Sequence, residues 1–159
     1  MSLFEPKESY ARIADISLKY LKETLKIRGL IFDFDGTLMR DKKLSGSTIN
    51  FIKRAKDAGF KISILSNNLV LDHQALEELN IPIVDKFAFK PLKKPFLDMA
   101  KRMKLAPEKI AVIGNNKLTD IFGANRAKMY SIFIQNLNSF FFRRNVRARL
   151  KQRGIKHIQ

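Results

Sequence analysis

Leu30-Ile31-Phe32-Asp33-Phe34 is an apolar run of strand length that stops in carboxylates. Further apolar runs follow at Phe60–Leu65, at Ile81–Val84, at Ile110–Ile113 and at Ser131–Ile134. Between them lie segments with helical periodicity and helical punctuation, over Thr48–Ala58, Asp72–Leu79, Pro91–Leu105 and Lys117–Ala127. Short apolar strands alternating with helices of about ten residues specify βαβ units, and hence a parallel sheet buried on both faces. Residues 17–28 read as one more amphipathic helix, stopped by Gly29. No repeat, low-complexity tract or Gly/Ser linker interrupts the pattern, so a single domain over residues 1–159 is expected. It would carry a helical lead-in (1–28) and a basic C-terminal helix (about 139–153).

In open parallel sheets the chemistry gathers beyond the carboxyl ends of the strands. Here the first strand ends at Asp33 and Asp35, the second at Ser66 and the fourth at Asn115 and Asp120. Carboxylates at i and i+2 alternate sides at a strand end, so both can reach one site without sharing a position. Gly36 lets the chain turn sharply there. Phosphoryl transfer needs such a set: a nucleophile, a cation on the phosphate oxygens, further positive charge and a proton donor. Taken alone, an Asp-x-Asp after an apolar run also fits a plain Mg²⁺ site or a solvated turn.

Composition removes other chemistries. The chain has no cysteine, which excludes disulfides, thiolate metal sites and thiol nucleophiles. Its two histidines, His73 and His157, are too far apart to suggest a His-based metal site. No stretch approaches the roughly 18 apolar residues of a membrane span, and no signal-peptide pattern opens the chain, so a cytoplasmic location is expected. The net charge is +16, and no acid follows Asp120. Such a field favours polyanions, whether nucleic acid, anionic membrane or phosphorylated substrate. A solubilising basic surface accounts for it equally well.

The motif set resembles the haloacid-dehalogenase-like superfamily of phosphatases. Asp33-Phe34-Asp35-Gly36-Thr37-Leu38 is similar to its first motif, Ser66-Asn67-Asn68 to its second, Lys90-Pro91 to its third and Gly114-Asn115-Asn116-Lys117-Leu118-Thr119-Asp120 to its fourth. Within subfamily IIIA the chain resembles the YqeG-type subgroup, related to mitochondrial phosphatidylglycerophosphate phosphatases. That narrower likeness is carried by Ala88-Phe89-Lys90-Pro91, by Gly123-Ala124-Asn125-Arg126 and by the basic C-terminal segment. The resemblance implies a three-layer, Rossmann-like α/β fold with a parallel five-stranded sheet. It also implies catalytic roles. Asp33 attacks phosphorus to give an aspartyl-phosphate, and Asp35 protonates the leaving oxygen and then activates water. Ser66 hydrogen-bonds the phosphoryl group, and Lys90 neutralises charge. Mg²⁺ is the implied cofactor, with Asp33, Asp35, Asn115 and Asp120 as its ligand set. Asn67, Gly36 and Arg126 are the expected substrate-binding residues. Lys93 and Lys94 lie one helical turn beyond Lys90, but Pro91 marks Lys90 as the residue at the loop-to-helix junction.

Two departures shape the functional expectation. The family pattern has Asp where this chain has Asn115, whose amide oxygen can coordinate Mg²⁺ but brings no charge. Weaker metal binding and slower turnover are expected from it. Asn116 suits a turn as well as it suits a ligand. The gap from Leu38 to Thr48 is ten residues, and Ser66 to Lys90 is mostly one helix and a strand, so neither holds a cap domain. An uncapped site admits a phosphate on something large: a lipid headgroup, a nucleic-acid end or a phosphoprotein.

The expected function is therefore a Mg²⁺-dependent phosphomonoester hydrolase, with phosphatidylglycerophosphate as the substrate the subgroup resemblance implies. The alternative is a catalytically weakened fold that binds nucleic acid or a ribosome-related partner, motivated by Asn115 and the charge. Phe142, Val146 and Leu150 fall at i, i+4 and i+8 beside Arg143, Arg147 and Lys151. This pattern suits a helix packed on the domain, and also one lying on an anionic membrane.

Overall fold

The structure, a computed structural model, describes residues 2–135; the C-terminal helix expected over about 139–153 lies outside them. Along the chain the elements are β1 (Glu8–Tyr10), β2 (Gly29–Phe32), β3 (Met39–Arg40), β4 (Lys43–Leu44), α1 (Gly46–Asp57), β5 (Lys61–Leu65), α2 (His73–Leu79), β6 (Ile83–Asp85), α3 (Lys93–Met103), β7 (Ile110–Gly114), α4 (Phe122–Arg126) and β8 (Tyr130–Ile134). Six of the strands form one sheet in the order β1-β8-β7-β2-β5-β6, every neighbouring pair parallel. The sheet is thus one strand wider than the five expected.

The extra strand corrects the reading of residues 1–28 as a helical lead-in. Glu8–Tyr10 pairs with β8, Glu8 opposite Ile132 and Tyr10 opposite Ile134. Hydrogen bonds from Lys7 N to Ser131 O and from Gln135 N to Tyr10 O extend the ladder. Glu8 and Tyr10, half-buried around an exposed Ser9, carry no apolar alternation, and their reason to be extended lies in β8, far along the chain. Further on, the predicted helix over 17–28 is a short helical segment whose last turn, Tyr20–Thr24, is a wide π turn.

The central strands are dark to solvent on both sides. Every residue of β2 and β7 is buried, and so are the last four of β5. Alternation divides their side chains between two cores. Leu30, Phe32, Ile62, Ile64, Ala111 and Ile113 meet Phe51, Ile52 and Ala55 of α1 and Leu79 of α2. Ile31, Ile110 and Val112 face the other way, onto Phe96, Met99 and Met103 of α3 and Ala124 of α4. Caps fix where the helices begin. Ser45 accepts the Thr48 N–H ahead of α1, and Asp72 accepts that of Ala75 ahead of α2.

This topology positions the site. The chain leaves β2 towards β5 and β6 on one side, then crosses back to build β7 and β8 on the other. The sheet therefore switches direction between β2 and β7, where a crevice opens beyond the strand ends. Asp33 follows β2 there and Asn115 follows β7. The Leu38–Thr48 interval holds the two-residue strands β3 and β4, paired antiparallel, and the Ser66–Lys90 interval holds α2 and β6. Neither contains a cap.

Candidate active site

At the carboxyl edge of the sheet a cleft of about 220 Å³ is lined by Asp33, Asp35, Ser66, Asn67, Asn68, Lys90, Asn115, Asn116, Thr119 and Asp120. A larger recess of about 490 Å³ lies around Phe60, Ile62 and Met103. Its lysines Lys56 and Lys61 already donate to the Leu79, Asn80 and Met103 carbonyls. It is lined by no carboxylate, so the smaller cleft is the candidate site.

Three buried ions form the heart of that cleft. Lys90 Nζ lies 2.8 Å from Asp33 Oδ1 and 2.7 Å from Asp120 Oδ1. All three side chains are nearly or wholly shielded, so the pairing acts at low local dielectric. One cation serves two carboxylates, which leaves the trio one negative charge in excess. Asp33 bears the consequence: burial first, then the charge of Asp120, pushes its carboxyl up to about 6, against the pull of Lys90 and Thr37. Burial alone would lower the Lys90 ammonium, but Asp120 and Asp33 outweigh it and hold it above its ordinary value.

Backbone geometry explains why these groups can meet. Asp33 N donates to Ile113 O at 3.0 Å, which carries the β2–β7 ladder one residue past the strand. Gly114 lies so close to Asp120 that a Cβ there would stand 2.3 Å from its Oδ2. Gly36 has φ +81°, and a Cβ on it would stand 2.2 Å from the Asn115 amide nitrogen. A larger residue at either position would push apart the loops that carry the site.

The remaining groups orient the ions. Thr37, fully buried, has its hydroxyl 3.2 Å from Asp33 Oδ2 and 3.3 Å from Asn115 Oδ1. With one proton to donate, it holds one of these oxygens at a time. Asn68 Nδ2 donates to Asp35 Oδ2 at 2.6 Å. Ser66 Oγ accepts the Asn68 N–H at 3.1 Å, and its own proton remains to donate. Asp120 Oδ2 accepts the Asn116 N–H at 3.1 Å. Asn116 itself caps the turn that follows, accepting from Leu118 N and Thr119 N, so it is a turn residue.

Of the residues singled out from sequence, Asp33, Asp35, Ser66, Asn67, Lys90, Asn115 and Asp120 share the one cleft, while Lys93 and Lys94 are exposed outside it. The three expected substrate contacts have other partners in the fold. Asn67 spends both ends of its amide on the main chain of Lys90. Gly36 directs its N–H to Met39 O at 2.6 Å. Arg126 is exposed, with its guanidinium over the Phe122 ring, and does not line the cleft. Thr37 and Asn68 were not assigned roles from sequence, since a hydroxyl or amide beside a turn looks like any other turn residue.

Among the described residues no three His, Cys, Asp or Glu side chains gather as a metal cage. A divalent cation would instead be held by Asp33 with neutral oxygens, the Asp35 carbonyl and the Asn115 amide oxygen, and by Asp120 directly or through water. That all-oxygen set suits Mg²⁺, which keeps several of its waters. The negative charge in excess gives such an ion an electrostatic reason to enter.

Residues 30–128 match the haloacid dehalogenase-like hydrolase family. The chain belongs to that family. This hydrolase is 34% identical over 169 residues to "Probable phosphatase YqeG" of Bacillus subtilis (strain 168), the match covering 98% of this chain and 95% of that protein. Solved structures share its fold. The cobalt-bound deoxy-D-mannose-octulosonate 8-phosphate phosphatase of Haemophilus influenzae aligns with a TM-score of 0.56 at 17% identity, over 82% of this chain and 91% of its own. A HAD phosphatase from Thermococcus onnurineus aligns with a TM-score of 0.52 at 20% identity, over 61% of this hydrolase and 49% of its own chain.

Proposed function

We propose that this hydrolase is a Mg²⁺-dependent phosphomonoesterase working through an aspartyl-phosphate on Asp33, and that its substrate is a phospholipid, phosphatidylglycerophosphate. The observation that carries the reading is the Lys90 bridge: a buried cation fixes one oxygen of Asp33 at the floor of an open cleft. Asp33 attacks phosphorus, and the bond to the leaving oxygen breaks as Asp35 gives that oxygen its proton. Asn68 holds the Asp35 carboxyl towards the cleft for that step. Asp35 then takes a proton from water, whose oxygen displaces Asp33 and releases phosphate. Ser66 donates to a phosphoryl oxygen, while Lys90 offsets charge as it builds. Mg²⁺, held by Asp33, the Asp35 carbonyl and Asn115, with Asp120 behind them, would neutralise phosphoryl charge.

The lipid assignment follows from the subgroup resemblance of Ala88-Phe89-Lys90-Pro91, and it is supported by the absence of a cap over the cleft among the described residues, which admits a phosphate on something large. The test is phosphate release from phosphatidylglycerophosphate and from an aryl phosphate, with and without Mg²⁺, beside Asp33→Asn. Release that needs both Mg²⁺ and Asp33, and favours the lipid, is expected. Folded protein that releases phosphate from neither would move the balance to a binding module, the reading Asn115 and the +16 charge favour.

A further inference from the structure

Nine large apolar side chains stand exposed among the described residues, and six of them, Leu69, Val70, Phe87, Phe89, Leu92 and Leu118, lie on the segments that carry cleft residues. They sit on the segments that follow β5, β6 and β7, Leu118 in a short helical turn at Lys117–Ile121, and the same segments supply the cleft. Each of the six is more than half exposed. Leu69 follows Asn68, Phe89 precedes Lys90, and Leu118 falls between Asn116 and Thr119; those neighbours line the cleft. Phe87, Phe89 and Leu92 form a groove of about 300 Å³ whose remaining walls, Asn67 and Lys90, are shared with the cleft.

The exposure is built in. From Phe87 to Lys90 the chain alternates outward and inward, with Ala88 and Lys90 buried and the two aromatics out. Phe87 N donates to Asn68 O and Ala88 N to Ser66 O, which ties this turn to the one after β5. Phe87 and Phe89 both hold positive φ, 52° and 58°, a conformation that bulky residues adopt only when the surroundings impose it. Their rings lie 4.4 Å apart, packed on each other. Exposed apolar side chains grouped beside a polar cleft mark an interaction site.

We infer that this apolar rim docks the hydrolase on an anionic lipid bilayer, with the cleft facing the headgroup plane. The inference deepens the reading of a lipid-phosphate phosphatase and rests on that reading for its purpose. Three features select a bilayer over a protein partner. The apolar tips stand on three separate turns around an opening that must receive a phosphate, and a fluid surface presents its phosphates at the plane the tips would reach. Exposed lysines adjoin the tips: Lys86 beside Phe87, Lys93 beside Leu92 and Lys117 beside Leu118. Apolar tips with flanking lysines, on a chain of net charge +16, complement an apolar layer under anionic headgroups.

The chain has no tryptophan, so Phe87→Trp supplies a reporter without background. Full-length Phe87→Trp is mixed with phosphatidylcholine vesicles containing about one third phosphatidylglycerol. Its emission should shift to the blue and be quenched by lipids brominated along the acyl chain. In parallel, co-sedimentation compares the native chain with Val70→Ser/Phe87→Ser/Leu118→Ser, which should bind the vesicles at least about tenfold more weakly. Circular dichroism and soluble aryl-phosphate hydrolysis should be retained. Asp33→Asn should bind vesicles like the native chain, so failure of the enzymatic reading would leave this test intact. An unshifted emission spectrum of Phe87→Trp, vesicle binding unchanged in the triple variant, or no binding by the native chain would overturn the inference. So would loss of self-association in the triple variant, which would make the rim an interface between two copies.

Discussion

Asn67 grips Lys90 by its main chain: the Asn67 amide donates to Lys90 O at 2.9 Å, and its oxygen accepts from Lys90 N at 2.6 Å. Two turns, 23 residues apart in the chain, are thereby locked together directly behind the ammonium that bridges Asp33 and Asp120. The amide works as a clamp for Lys90.

Removing the clamp should therefore cost positioning. Asn67→Ala leaves an N–H and a carbonyl of Lys90 without their partner, a loss of about 1–2 kcal/mol in stability. Turnover should fall about tenfold with little change in KM, because misplacing a fixed charge by a fraction of an ångström weakens transition-state contacts first. Asn67→Asp keeps the acceptor for Lys90 N and loses the donor, so it should fall between. Steady-state kinetics beside urea unfolding would separate the effects. A rise in KM alone would point to substrate contact.

Lys90 neutralises two buried carboxylates, and its loss should be severe. Lys90→Met leaves Asp33 and Asp120 facing each other without a cation, which costs about 3 kcal/mol or more. Lys90→Met/Asp120→Asn removes one of the stranded charges and should recover part of that loss while remaining inactive. Urea unfolding of both variants at neutral pH gives the comparison. Equal stability of the single and double variants would mean that Asp120 does not depend on Lys90.

Asp33 carries a stability cost with a definite sign in pH. Its folded-state carboxyl is raised from 3.8 to about 6, so the folded protein holds that proton more tightly than the unfolded chain does. The penalty is full above about pH 6 and disappears as pH falls towards 4. Asp33→Asn abolishes the charge and keeps an acceptor for Lys90. In the absence of metal it should stabilise the protein by about 1 kcal/mol at pH 7.5, raising Tm by about 2–4 °C. The gain should shrink as pH drops through 6. Thermal melts at several pH values would show it, and a destabilised variant at pH 7.5 would mean that Lys90 more than compensates the buried charge.

How far the sequence disclosed this arrangement depended on how local each cause was. β2 and β7 were readable because central parallel strands bury both faces and appear as unbroken apolar runs, and β5 because Ile62, Ile64 and Leu65 still dominate its short stretch; each ends where the chain must turn. Asp33, Ser66 and Asn115 stood out because those turns place them, and Lys90 because Lys90-Pro91 resembles a family motif. β1 was not readable, since Glu8–Tyr10 is extended only by pairing with β8. The work of Asn67 was equally hidden, because its partner is the main chain of Lys90, which no residue type announces. Arg126 lies outside the cleft for the converse reason. Its neighbours resemble a motif, but Gly123 is there to admit the Phe96 ring, and Asn125 donates to the Leu3 and Glu5 carbonyls. The segment anchors the fold.

Asn115 offers the sharpest test of how charge in the cleft is balanced. Its amide oxygen lies within reach of the Thr37 hydroxyl, and its amide nitrogen faces the Gly36 backbone, so an isosteric carboxylate fits the same space. Asn115→Asp adds a third acid to a cluster already one charge in excess. Without metal the variant should be less stable than the native chain by about 1 kcal/mol, because the new charge is partly buried and has no cation of its own. With Mg²⁺ the order should reverse, as a hard cation gains a second carboxylate in place of a neutral oxygen, tightening its binding about tenfold. Thermal melts across a Mg²⁺ titration read both arms at once: a lower starting Tm, a larger Mg²⁺-induced rise and a midpoint at lower Mg²⁺. A native chain that responds to Mg²⁺ as strongly as the variant would show that Asn115 already binds as well as an acid, and that its replacement of the family's Asp left metal affinity intact.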